Sequence, residues 1–114
     1  MQNTQNAWTV TEPEIMEMPR LLDGDTATEL EQDLRLCIKS GARELILDCA
    51  QTENLTSAGL RSIMALVAEM RNVQGKLAVC NLQGQPRAIF KACGYDETIP
   101  TFATQNEAVA RLAA

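Results

Sequence analysis

The stretch Asn54-Leu55-Thr56-Ser57-Ala58-Gly59-Leu60 sets two hydroxyls ahead of two very small residues. It lies between a short apolar run, "ELILDC" at 44–49, and a long amphipathic one. A hydroxyl at such a junction can cap the helix that follows, worth about 1 kcal/mol. Capping accounts for Thr56 or Ser57. It does not account for Gly59, which in a first helical turn costs up to about 1 kcal/mol relative to alanine. Ala58 and Gly59 together leave the helix entrance low, so that another backbone or protein surface can approach Ser57 closely.

Other chemistry is excluded by what the chain lacks. Its 114 residues include no histidine, which rules out a Ser-His-Asp or Cys-His site and the usual histidine zinc sites within the chain. There is no Walker or Gly-rich dinucleotide loop, so we expect no enzyme, no cofactor and no metal. The four cysteines, Cys37, Cys49, Cys80 and Cys93, lie far apart inside apolar patterns without a CxxC pair and are expected as buried, reduced thiols. Net charge is −5, with the ten Lys and Arg scattered, which offers nucleic acid no electrostatic footprint. No run approaches the roughly 18 apolar residues of a membrane span, so membrane insertion is not expected. The opening "MQNTQNAWTV" lacks the basic start and apolar middle of a secretion signal, which points to the cytoplasm.

The elements that must position the hydroxyls follow from periodicity. Residues 8–11, "WTVT", and 14–18, "EIMEM", alternate in polarity and suggest two opening strands or a hairpin. Thr26 and Glu29 have capping-box spacing, and Ala27, Leu30, Leu34, Cys37 and Ile38 share one helical face up to Gly41. "ELILDC" is apolar enough for a strand covered on both faces. From Ser57 to about residue 74, Leu60, Ile63, Met64 and Val67 point inward, while Ala58, Arg61, Ser62, Ala65 and Glu69 point the other way. "KLAVCNL" (76–82) reads as a second buried strand, and "PRAIFKACG" (86–94) as a short helix with Pro86 at its first position. "TIPTF" (98–102) reads as an edge strand, and 104–114 as a closing helix opened by Thr104 and Glu107.

The length suits one domain, residues 1–114 with a core of 7–113. Alternation of strand and helix predicts an α/β fold, a mixed central β-sheet packed against about four α-helices. Leu45, Ile46, Leu47, Leu60, Ile63, Met64, Val67, Leu77 and Val79 are expected to form one core. Asp23 and Asp48 are expected at the edge where strands end and helices begin, beside Ser57.

"LILDCAQTENLTSAGLRSIMALV" resembles the central segment of STAS domains, the anti-sigma factor antagonists. There a strand ending in Asp leads to a loop, a phosphorylatable Ser or Thr, and a helix opened by Gly-Leu. "RLLDGDTATELEQDL" is similar to the family's Gly-x-Leu-Asp segment, and the chain from Gly75 onward follows the family's closing strand-helix-strand-helix order. The resemblance implies a phosphoacceptor at Ser57, the Gly-Leu pair at Gly59 and Leu60, and acidic neighbours at Asp23 and Asp48. It implies a docking face of Asp23, Asp48, Thr56, Ala58, Gly59, Arg61, Ser62 and Ala65. Three positions depart from the pattern: Thr56 replaces the usual Asp, Ala58 replaces a second hydroxyl, and the Gly of the Gly-x-Leu-Asp segment is absent from Pro19-Arg20-Leu21-Leu22-Asp23.

The function so implied is a partner switch, monomeric without its partner. Unphosphorylated, it binds an anti-sigma factor or serine-protein kinase of the histidine-kinase-like ATPase fold; phosphorylation at Ser57 releases it, and a PP2C-type phosphatase restores it. The alternative is a non-phosphorylated STAS subunit docked to the ATPase of a lipid-transport ABC system.

Overall fold

The alternation of side chains along the strands sets the layers. In the computed structural model, which describes residues 13–113, β3 (Glu44–Asp48) pairs in parallel with β5 (Lys76–Cys80), Leu45 opposite Leu77 and Asp48 opposite Cys80. Leu45, Leu47, Leu77 and Val79 point to one face and join the larger apolar cluster, whereas Ile46, Ala78 and Cys80 point to the other and join a smaller one. A period of two produces this division. The expected core list therefore needs two corrections. Ile46 belongs to the second cluster, and Met64 is only partly buried, at the rim of the first.

Two further parallel strands complete the main sheet, in the order β1-β3-β5-β6. They are β1 (Glu14–Glu17) beside β3 and β6 (Thr101–Phe102) beside β5. Every described ladder is parallel, which requires crossovers through helices. The strand expected at 8–11, which would have made the sheet mixed, lies outside the described residues. Pro100 precedes β6 at the sheet's edge and offers only its carbonyl, to Val79 N–H at 3.0 Å, so its missing N–H costs nothing.

Helices α1 (Gly24–Lys39) and α2 (Ser57–Asn72) cover the larger cluster, with Phe90 of α3 (Gly84–Ala92), while α4 (Gln105–Ala113) covers the smaller one with Ala108 and Leu112. The α1 start corrects the expectation from Thr26 and Glu29. Asp23 is the N-cap, its Oδ1 accepting from Thr26 N–H at 3.0 Å while Asp23 N–H donates to Thr26 Oγ1 at 2.9 Å. Thr26 takes part in a capping box as its last member, not its first. Similarly, α3 begins at Gly84, so Pro86 stands third, still within the turn whose N–H groups lack helical partners. Thr104 behaves as expected and accepts from Glu107 N–H at 3.1 Å.

A second, two-stranded parallel sheet carries the site. β2 (Leu21–Leu22) pairs with β4 (Asn54–Leu55), and each strand runs through one capping residue into a helix, β2 through Asp23 into α1 and β4 through Thr56 into α2. Two helices launched from paired parallel strands must start side by side and run the same way. Arg35 of α1 confirms the alignment: its Nε lies 3.1 Å from both carboxylate oxygens of Glu69 on α2.

The cysteines are all free thiols, but they are not all buried. Cys49 and Cys80 are buried, Cys37 is half-buried, and Cys93, at the C-terminal cap of α3, is exposed. It sits on the turn that leaves the helix. Burial pushes the Cys49 thiol up to about 12 and the Cys80 thiol up to about 11, which leaves them unreactive near neutrality. In the native protein an aromatic disulfide reagent should therefore consume Cys93 first and spare Cys49 and Cys80 until denaturant is added; prompt reaction of all four would contradict the packing.

Candidate functional site

Ser57 is the first residue of α2 and is exposed, while Thr56, just before it, is the N-cap. The two hydroxyls differ in what they already do. Thr56 Oγ1 accepts from Gly59 N–H at 3.2 Å and donates to the Leu22 carbonyl at 3.3 Å. Its hydroxyl is used in both directions. Ser57 has an exposed side chain at the end of a helix whose first turn contains no acidic residue.

The small residues that follow serve the fold directly. A Cβ on Gly59 would lie 2.2 Å from the Leu22 carbonyl oxygen and 2.9 Å from its carbon, so only glycine lets β2 run this close to α2. Ala58 is half-buried, and a Cβ on Gly24, the first residue of α1, would lie 3.5 Å from the Ala58 Cβ. The expectation that Ala58 and Gly59 leave room for a partner is thereby revised. Gly59 is closed off by β2, Ala58 faces the entrance of α1, and Ser57 is the residue left standing at the surface. The outward set is revised likewise: Arg61 and Ala65 are exposed, but Ser62 is half-buried and Glu69 is drawn to Arg35.

Asp23 caps α1 at the neighbouring helix start. The bonds from Thr26 hold its carboxyl below the usual carboxylate value. Asp48 stands at the end of β3 and is only 8% exposed. Its Oδ1 accepts from Ala50 N–H at 2.9 Å and from Asn81 Nδ2 at 3.0 Å, and its Oδ2 accepts from Gln105 Nε2 at 2.9 Å. Burial would raise this carboxyl, but the donors outweigh it and hold the group below its ordinary value. Asp23 thus caps the helix start beside that of Ser57, and Asp48 ties β3 to β5 and α4.

Sequence reading missed the glutamines. Gln85 accepts from Leu55 N–H at 2.8 Å and donates to Leu55 O at 3.0 Å, so its amide completes the free edge of β4 as a neighbouring strand would. Gln83 donates to Ala50 O at 3.0 Å and Gln51 to Met18 O at 2.9 Å. The one signal available was their concentration around strand ends, which a polar surface produces equally well.

A parallel sheet with helices on both faces, carrying an exposed serine at a helix start beside a second capped helix start, defines a class. The family model for the STAS domain matches residues 8–108, and the chain belongs to the STAS domain family. BtrV of Bordetella bronchiseptica, named as an anti-sigma factor antagonist, is 31% identical over 90 residues, covering 79% of this chain and 77% of BtrV. The anti-sigma factor antagonist SpoIIAA, a Bacillus cell fate determinant, is similar in both of its solved forms. The unphosphorylated form gives a TM-score of 0.77 at 18% identity over 90% of this chain and 89% of that one. The phosphorylated form gives 0.70 at 19% over 90% and 92%. A sulfate transporter family protein from Wolinella succinogenes gives 0.78 at 16% identity over 88% and 84%.

Two predictions follow from the geometry. Gly59→Ala should lower stability by at least about 2 kcal/mol, because the clash is with backbone; a urea midpoint equal to wild type would refute the close approach. Asp48 titrates below its unfolded value of about 3.9, so its contribution is present above about pH 4 and is lost as pH falls through the folded value. Asp48→Asn should therefore cost about 2 kcal/mol at pH 7 and show a smaller further loss below about pH 4. Parallel stability curves for the two proteins would refute that assignment.

Proposed function

We propose that this chain is an anti-sigma factor antagonist working as a partner switch, with Ser57 as the phosphorylated residue. The observation that carries the reading is the division of labour at the start of α2, where Thr56 is committed to the fold and Ser57 is exposed and free. In the unphosphorylated state the docking face comprises Thr56, Ser57 and Ala58 at the start of α2, Arg61, Ser62 and Ala65 along it, and Asp23 at the adjoining helix start. Gly59 shapes this face from within. Asp48 supports it from behind by fixing the strand ends. The partner is a serine-protein kinase of the histidine-kinase-like ATPase fold that acts as the anti-sigma factor, and a PP2C-type phosphatase resets the switch in the cytoplasm. This chain acts by binding and needs no catalytic group of its own. Among the described residues no helix is long and apolar enough to cross a membrane.

The physical effect is local. A phosphoserine carries about −1.5 to −2 charges at pH 7, and a first-turn position lets the helix dipole and free N–H groups favour it. The domain keeps its fold while its surface changes. Burying that charge unpaired in an interface costs several kcal/mol, and each 1.4 kcal/mol or so is tenfold in affinity.

The test compares wild type, Ser57→Ala and Ser57→Asp with the host kinase and ATP, reading phosphate incorporation and calorimetric binding. Ser57→Ala should bind as wild type and take up no phosphate. Ser57→Asp should stay folded and bind more weakly, though less so than the phosphorylated protein, since one carboxylate carries less charge. Undiminished labelling of Ser57→Ala would move the site. Equal affinity for phosphorylated and unphosphorylated wild type would favour the other reading, a permanently docked transporter subunit.

A further inference from the structure

The exposed stripe of α2 runs through Ser57, Arg61, Ala65, Ala68 and Asn72, and Arg61 is its one charged member. Two other arginines are engaged: Arg20, just before β2, lies 3.2 Å from Glu53, and Arg35, toward the end of α1, is closed on Glu31 and Glu69. Arg61 forms no ion pair among the described residues. One turn further on the stripe has alanine at position 65, so no carboxylate on the helix draws the guanidinium that way. One turn back stands Ser57. Residues four apart on a helix have their Cβ atoms about 5–6 Å from each other, and helical side chains lean toward the N-terminus. The natural sweep of Arg61 is therefore over the Ser57 hydroxyl.

We propose that Arg61 is the internal counter-ion of phosphorylated Ser57, its guanidinium folding back one turn to hold two phosphoryl oxygens. This rests on the reading of Ser57 as the phosphoacceptor and deepens it. The surroundings give the pairing a purpose. The neighbouring helix start carries Asp23 as its cap and Asp25 in its first turn, and Glu53 lies in the loop before β4, paired with Arg20. A phosphate at Ser57 thus enters a neighbourhood already acidic, and Arg61 is the cation on its own helix face able to offset it. Phosphorylation then alters two positions of the docking face together. It adds a dianion at Ser57 and withdraws the stripe's single cation from any partner. An arginine fork matches a phosphoryl group in two parallel hydrogen bonds, which a lysine cannot reproduce.

The experiment uses the full chain with phosphoserine installed at position 57 during translation, so it is independent of any kinase. Failure of a kinase to accept Ser57 bears on the proposed function alone. Phosphorus NMR follows the second ionisation of the phosphate in the phosphorylated chain with Arg61, with Arg61→Ala and with Arg61→Lys, each checked for native circular dichroism. With Arg61 present the ionisation should lie about 0.3–0.7 pH unit below that of Arg61→Ala, a roughly two- to fivefold lower proton affinity. Arg61→Lys should recover part of the shift, and salt near 0.5 M should compress all three toward one value because an exposed pair is screened. Coincident titrations for Arg61 and Arg61→Ala at low salt overturn the proposal. So does a shift that survives high salt undiminished, since that would place its origin away from the exposed guanidinium.

Discussion

The Leu22 carbonyl is the point on which this site depends. It accepts from Thr56 N–H at 3.0 Å and from the Thr56 hydroxyl at 3.3 Å, and it sits where a Cβ on Gly59 would otherwise be. One backbone oxygen thereby locks the end of β2 to the first turn of α2. From that contact the parallel β2–β4 pair, the adjacent helix starts and the alignment of Arg35 with Glu69 all follow. Glycine within a helix is normally a cost; here the lost helix propensity is offset by a contact that no other residue permits.

A second set of bonds holds the strand ends in place behind the site. Asp48 gathers Ala50, Asn81 and Gln105, which belong respectively to the loop after β3, the end of β5 and the start of α4. Asn81 adopts φ of 60°, a left-handed conformation that asparagine tolerates better than most residues, and this turns its amide onto Asp48. The charged carboxylate is suited to this place because three donors converge on it, and each charge-assisted bond is stronger than a neutral one. The two acids expected at the strand-end edge do different local work. Both are helix- or strand-end acids satisfied by local donors, but Asp23 borders Ser57 and Asp48 works within the sheet's support.

Legibility in the sequence followed the range of the interaction involved. Periodicity along "ELILD" and through Leu60, Ile63 and Val67 is local, and it located the buried strand and the inward face of α2. The phase failed at Glu69 and Ser62, where α1 packs against flanks that a single-helix projection treats as outer. Gly59 was visible as an anomaly, but its cause lies at Leu22, far along the chain, and no local pattern records which backbone will approach a glycine. Thr26 misled because a Thr-x-x-Glu box and an Asp-x-x-Thr box overlap there, and the more acidic cap prevailed. Ile46 was assigned to a common core because a run apolar at every position does not reveal which cluster each side chain joins. Gln85 was illegible for the same reason as Gly59, since its value lies entirely in reaching Leu55.

The placement of the exposed serine one residue inside the cap has a consequence for how a surface modification can be tolerated. Were the modified hydroxyl the cap itself, a phosphoryl group would displace the bonds to Gly59 N–H and the Leu22 carbonyl, loosening β2 from α2 and exposing the groups those bonds satisfy. Such a modification would then be partly an unfolding event. With Thr56 holding those bonds, a charge added at Ser57 meets the free N–H groups of the first turn and leaves the β2–β4 seam intact. Two adjacent hydroxyls therefore divide the work, Thr56 holding the fold while Ser57 stays exposed. The chain's departure from its family's usual Asp at position 56 fits the same logic: a threonine hydroxyl can both accept from the helix and donate to Leu22, which an ionised carboxylate cannot. It also keeps a negative charge out of the position next to Ser57.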